Sequence, residues 1–435
     1  MVEHVAYGET SSHHEAKHLL SLVISVFSVG RLFASTILGY LSDHVGERTV
    51  YITTSLAALM GNLMYVLTYV YPSSTLLVGA RLVAGASTGV LAVCRAHTAK
   101  ISTVEDRTKY MALNSAAQFV GLGLSPFLTL ALTKARSDGA WFNSLTAPAF
   151  VLAGFNVVVI FLVVFVFTDI SGVDASLYTE QIEPIHPSSP SISAHGVEYR
   201  SIQAAEPEDN EELQREMKAE KIVADKWSDA EWTRLVNIGI GLYIFFNFSS
   251  RCILALVETF GAPMYLEIHH LPSKDTIAAS MFFGTLGFLG MISFVITIWA
   301  KRFVTEDYML MFAFICIGIG STTLAITGST HYPLFMFSLY LIWSIGFPVK
   351  STAIMSSFSK ILGGRPQGVM MGWIGTFGSL GRICMPLLAG FSTPTVAFAI
   401  GGVMCVACVV LLYLYMSAVS SYNRRNRHIS TISEG

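Results

Sequence analysis

Long apolar runs alternate with short charged ones along this chain. Runs of about 20 apolar residues, the length an α-helix needs to cross the hydrocarbon of a bilayer, fall near 18–41, 50–70, 76–99, 109–132 and 146–168. After a polar interval they resume near 235–260, 276–299, 307–328, 332–357, 368–391 and 395–417. The strands of a membrane barrel would instead show segments of about ten residues with alternating polarity. The pattern therefore predicts an all-α polytopic membrane protein of eleven spans, five followed by six.

The polar interval divides the chain. Residues 169–233 hold 15 Asp and Glu against 5 Lys and Arg and include Pro184, Pro187 and Pro190; such a segment reads as a disordered acidic linker. The expected organisation is an N-terminal segment 1–17, a five-helix half 18–168, the linker 169–233, a six-helix half 234–417 and a tail 418–435. Connections on one side of the bundle carry 17 Lys and Arg and those on the other carry 4. The positive-inside rule then places the linker and the C-terminal tail in the cytoplasm and residues 1–17 in a lumen.

Composition agrees with this picture and narrows the function. Hydrophobic residues make up 53% of the 435 and charged residues 13%, far from a soluble domain. No glycine-rich nucleotide loop follows a strand, so an ATP-driven pump is not expected. Cys94, Cys252, Cys316, Cys384, Cys405 and Cys408 all lie in spans, where they read as small packing residues. No catalytic residue, metal, cofactor or nucleic-acid partner is expected; the partners are the lipid bilayer and a solute.

One charged loop says the most. Gly39-Tyr-Leu-Ser-Asp43-His-Val-Gly46-Glu-Arg48 joins the first two predicted helices. Gly39 permits close helix approach, Asp43 suits the positive end of a facing helix, Gly46 permits a tight turn, and Arg48 is free for an acid or a lipid phosphate. This loop resembles the signature loop of the major facilitator superfamily. That resemblance implies two pseudo-symmetric six-helix halves, with the loop after the second helix on the cytoplasmic side. Here it follows the first predicted helix, so the first of the usual twelve is not found in residues 1–17. Arg81-Leu-Val-Ala-Gly85 resembles the Arg-x-x-x-Gly element of the superfamily's fourth helix. Gly121 to Pro126 is echoed by Gly381 to Pro386, as two related halves would require. The stretches Ser359 to Trp373 and Leu256-Val-Glu258-Thr look like a lysosomal branch of the superfamily, which implies an endosomal or lysosomal membrane and a proposed chloride conductance. Arg31 and Lys350 depart from that branch, where neutral residues stand.

Charges kept inside the spans carry the chemistry. Arg31, Arg81, Arg95, Arg251, Lys350 and Arg382 are cationic, and Glu258 is acidic. Each is costly in a bilayer unless it faces the bundle interior or water. So unbalanced a set points to a small anionic solute. Arg31 and Arg382 lie nearest the midplane and are the first candidates for substrate ligands, with Arg81 and Lys350 behind them. Lys350 is also placed to snorkel. Arg81 and Arg95 are fourteen residues apart and are expected on one helix face. Arg95 is expected to close a cytoplasmic gate with Gly39, Asp43, Gly46 and Arg48, pairing with Asp43, Glu105 or Asp106. Arg251 and Glu258, two turns apart, are expected to pair at the lumenal end, and Glu258 is the candidate proton carrier. Tyr199-Arg-Ser-Ile202 fits a tyrosine sorting signal read by adaptors.

These features suggest a secondary transporter of a small anion, coupled to protons. A chloride channel on the same scaffold and a non-transporting form stay open as alternatives.

Overall fold

The computed structural model describes Val5 and residues 13–134, 141–143, 145–167, 211–271, 276–363 and 365–433. Residues 168–210, with the sorting candidates Tyr199 and Ile202, lie outside the described residues. Among the described residues thirteen α-helices and one π segment run in order. They are α1 (His13–Val45), α2 (Glu47–Val70), α3 (Ser74–Ser87), α4 (Val90–Ile101), α5 (Arg107–Lys134), α6 (Ala147–Phe165) and α7 (Glu211–Ile268). Next come α8 (Thr276–Ala300), α9 (Glu306–Thr327), α10 (Tyr332–Leu339), the π segment Tyr340–Gly346, α11 (Phe347–Leu362), α12 (Gln367–Phe391) and α13 (Pro394–Ser433).

Helix α3 continues into α4 through Thr88 and Gly89, and α10, the π segment and α11 join end to end, so the described residues form eleven rods. Each rod overlaps one of the eleven apolar runs. The chain is an all-α membrane protein, and among the described residues there is no strand. Eight rods are long and apolar enough to span a bilayer by length and composition alone. The other three are α1, α5 and α12, which carry many small or polar residues and, in α1 and α12, an interior Arg. Both α1 and α12, and likewise α5 and α8, pack against each other across the middle of the molecule. A helix covered by other helices need not be as apolar as one that faces lipid. Helix α6 shows the opposite case: Phe155, Val158, Phe161 and Phe165 are exposed, as a lipid-facing surface requires.

Local signals fix the rod ends. Ser73 accepts from the backbone N–H of Leu76 and caps α3. Prolines stand in the first turn of α6, α10 and α11, where the missing N–H costs nothing. Gly46, between α1 and α2, has φ 88°. A side chain is strained in that left-handed region, so this position holds the tight turn expected from the loop sequence.

Close backbone contacts join the rods. A Cβ on Gly85 would meet the backbone of Phe27 in α1, and one on Gly39 would meet the backbone of Gly368 in α12. The expected echo between Gly121 and Gly381 does not extend to packing. Gly381 lies against Phe248 and Cys252 of α7, whereas nothing stands within 4 Å of a Cβ at Gly121.

These two environments make a controlled comparison. Gly85→Ala should lower the stability of the detergent-purified protein by about 1–3 kcal/mol through overpacking. Gly121→Ala should be neutral, or stabilise by up to about 1 kcal/mol through helix propensity. The midpoint of thermal unfolding distinguishes them, and equal effects would contradict the packing described.

Candidate functional site

Asp43 stands in the last turn of α1. Its carboxylate accepts the backbone N–H of Gly368 at 3.2 Å and of Val369 at 3.0 Å, both in the first turn of α12. These N–H groups have no partner within their own helix, and the helix dipole adds positive potential there. Lys100, at the end of α4, bridges Asp43 at 3.1 Å and the buried Glu47 at 2.7 Å. Arg48 donates to the carbonyl of Val164 at 2.5 Å. It therefore caps the negative end of α6, and among the described residues no acid pairs with it.

Arg95 does not pair with Asp43, Glu105 or Asp106. Its guanidinium faces Gln118 of α5, with Nη2 3.5 Å from Oε1. The cause is depth: Arg95 sits five residues before Lys100, or about 7 Å further along the helix axis. Lys100 reaches Asp43 first. Lys100 was not among the residues expected at the gate.

A second network repeats the first. Glu306, the first residue of α9, accepts from Lys360 of α11 at 2.5 Å and from the hydroxyl of Thr108, in the first turn of α5, at 2.5 Å. Glu47 opens a helix as Glu306 does. The Glu47–Lys100 and Glu306–Lys360 pairs span 53 and 54 residues, which exposes the internal repeat better than the glycine–proline echo does. One position breaks the symmetry. Four residues before Glu47 stands Asp43; four before Glu306 stands Arg302. In place of a carboxylate, Lys301 donates to the backbone carbonyl of Glu105. Burial, with Lys360 close by, holds the Lys301 ammonium below the usual lysine range. Arg107 completes this seam by donating to the carbonyls of Ser359 and Ser102.

Deeper in the bundle the charged side chains converge from both halves. Arg382 of α12 donates to Glu258 of α7 at 2.5 Å. The expected Arg251–Glu258 pair is not formed. Two turns along α7 separate those residues by about 10 Å, while Arg382 approaches Glu258 directly from the neighbouring helix. Arg251 lies over the ring of Phe347, 5.0 Å from its centroid. Lys350 does not snorkel: it has 0% exposure, donates to the Ser250 hydroxyl at 2.6 Å and sits 4.3 Å from the Phe347 centroid.

Arg31 is within electrostatic reach of Arg382, Arg95 and Glu258. Arg251 feels Arg31, Arg95, Arg382 and Glu258, and Lys350 feels Arg251 and Arg95. Arg81 stands apart. Its guanidinium covers Tyr65 of α2, 4.9 Å from the centroid, while Arg95 faces α5. The turn at Thr88 and Gly89 lies between them, so the fourteen-residue spacing does not place them on one face.

Residues 7–386 match the family described as Major Facilitator Superfamily. The chain belongs to that superfamily. Its members are transporters rather than enzymes, and solved structures similar to it are transporters too. It is 22% identical to the Major facilitator superfamily domain-containing protein 8 of Xenopus laevis, over 92% of this chain and 83% of the relative. The fold is similar to that of the proton:xylose symporter XylE bound to 6-bromo-6-deoxy-D-glucose, with TM-score 0.69, 12% identity and coverage of 95% of this chain and 90% of that one. It is also similar to the human organic anion transporter MFSD10, with TM-score 0.62, 16% identity and coverage of 94% and 88%. In this facilitator the cationic cluster lies where the two helical halves meet.

The twin ion pairs are open to a double-mutant test. Cycles across Glu47 and Lys100 and across Glu306 and Lys360 should each return a favourable coupling of about 0.5–3 kcal/mol in thermal stability. Asp43→Asn should add a separate loss of about 0.5–2 kcal/mol as the α12 N-terminus loses its anion. Additive effects within either pair would show that the pair is not formed.

Proposed function

We propose that this facilitator moves a small anionic solute across an endolysosomal membrane by alternating access, coupled to protons. One observation carries the reading: among the described residues four guanidiniums and one lysine from both halves gather in one cluster, in which Arg382 pairs with the carboxylate of Glu258. Such a junction attracts anions and disfavours cations and neutral sugars. Arg31 and Arg382 are the proposed ligands, because both are partly accessible whereas Arg95, Arg251 and Lys350 are buried. The relative described as an organic anion transporter supports this solute class. The resemblance of Ser359 to Trp373 to the lysosomal branch supports the membrane.

Glu258 is the proposed proton carrier, since its protonation would release Arg382 to a substrate. By the positive-inside count, the end that carries Asp43 faces the cytoplasm. There Gly39, Asp43, Gly46, Arg48, Lys100 and their counterparts Glu306 and Lys360 form the proposed gate. Parting the α1–α12 and α5–α8 contacts at that end would open the junction to the cytoplasm. Arg95 acts at the junction, not at the gate.

Flux in proteoliposomes tests the reading. Saturable anion uptake should fall about tenfold or more in Arg382→Ala, the effect of one lost charge-assisted hydrogen bond. Glu258→Gln should leave uptake that no longer responds to a pH gradient. Ohmic chloride current in place of saturable uptake would instead support a channel, and unchanged anion flux in both Arg31→Gln and Arg382→Ala would sink the cationic-site assignment.

A further inference from the structure

The junction carries more positive charge than one monovalent ion can match. Arg31, Arg95, Arg251 and Arg382 are guanidiniums, which stay protonated in proteins. Among the described residues, Glu258 is the carboxylate within reach of Arg31, Arg251 and Arg382, and Arg95 adds its charge beside Arg31 and Arg251. Four against one leaves an excess of three, before Lys350 is counted. Arg95 is 3% exposed and Arg251 8% exposed, so water and salt screen their mutual repulsion poorly. Of the anions that could enter, the one that relieves this repulsion most carries two or three charges.

Donor geometry narrows the class further. A guanidinium presents a planar fork of N–H groups that matches two oxygens of a carboxylate, sulfate or phosphate; a spherical halide uses the fork poorly. Capacity for such bonds remains, since the buried Nε atom of Arg31 has no acceptor among the described residues. The accessible pair offers two forks from two elements: Arg31 stands on α1 and Arg382 on α12, one from each half. Behind them Arg95, Arg251 and the fully buried Lys350 supply a fixed positive field.

We infer that the substrate is a multiply charged oxyanion, such as a di- or tricarboxylate or a sulfate or phosphate group, and not a monovalent halide. The inference rests on the anionic-solute reading and specifies its charge and shape. Arg31 and Arg382 hold the oxygens. Arg95, Arg251 and Lys350 act as positioning residues through their field, without touching the ligand.

Binding to the full-length protein in detergent decides this without any substitution. Thermal stabilisation is read against concentration of sulfate, succinate, citrate, chloride and acetate at constant ionic strength. Sulfate, succinate or citrate should half-saturate at a concentration about tenfold or more below that of chloride and acetate. Arg31→Lys, which keeps the charge and loses the fork, should shrink that preference while changing the chloride response little. Equal or tighter binding of chloride or acetate would overturn the multivalent oxyanion and leave the anionic-solute reading intact. No stabilisation by any of the five would overturn both.

Discussion

Like charges held close together in a medium that cannot screen them constrain everything else in this molecule. A buried guanidinium in an apolar setting is costly unless an opposite charge or a set of dipoles meets it. Here Arg31, Arg251 and Arg382 share the carboxylate of Glu258, with Arg95 and Lys350 beside them. The helices that carry them also have to be rigidly packed, or the charges would drift apart and the apolar seams would reseal without them. Close backbone contact at Gly39, Gly85 and Gly381 supplies that rigidity, because helices that touch through their main chains have little slack. The tension between repulsion inside and tight packing outside makes an anion the natural complement of the fold.

At the loop end the electrostatics run the other way. Lys100 rests on Asp43 and Glu47, Lys360 on Glu306, Arg48 on the end of α6, and Arg107 on Ser359 and Ser102, so each of these cations has found an oxygen. The two seams between the halves are nevertheless unequal. The α1–α12 seam joins a carboxylate to a helix N-terminus, while the α5–α8 side relies on a hydroxyl, a lysine and a backbone carbonyl. Since Arg302 stands where the repeat would put an acid, the two seams differ in charge as well as in strength. A molecule built this way need not release both at once.

How far the sequence could be read depended on the range of the interaction. The eleven rods follow from apolar length alone, and Asp43 reached a helix N-terminus as a carboxylate beside a tight glycine turn would. Partner choice was less accessible. Arg251 and Glu258 satisfied the two-turn rule and still did not pair, because spacing along one helix says which residues share a face and nothing about what a neighbouring helix brings to it. Lys100 holds the place at Asp43 expected of Arg95, over a difference in depth of five residues. Arg81 was separated from Arg95 by a short turn that only the packed structure reveals. The nearly equal spacing of Glu47 to Lys100 and Glu306 to Lys360, 53 and 54 residues, was present in the sequence throughout, but it gains meaning only once each pair is seen to touch.

The π segment Tyr340–Gly346 bears on the most unexpected of these residues. Each residue added to a helical turn rotates the downstream part of the rod by roughly 100° relative to an unbroken α-helix. Lys350 begins one turn after that segment. The wide turn therefore acts as an indexing step, turning the face of α11 that carries the lysine. A continuous α-helix with the same composition would present a different side to Ser250 of α7, so this buried charge owes its address to a change of helical pitch several residues upstream.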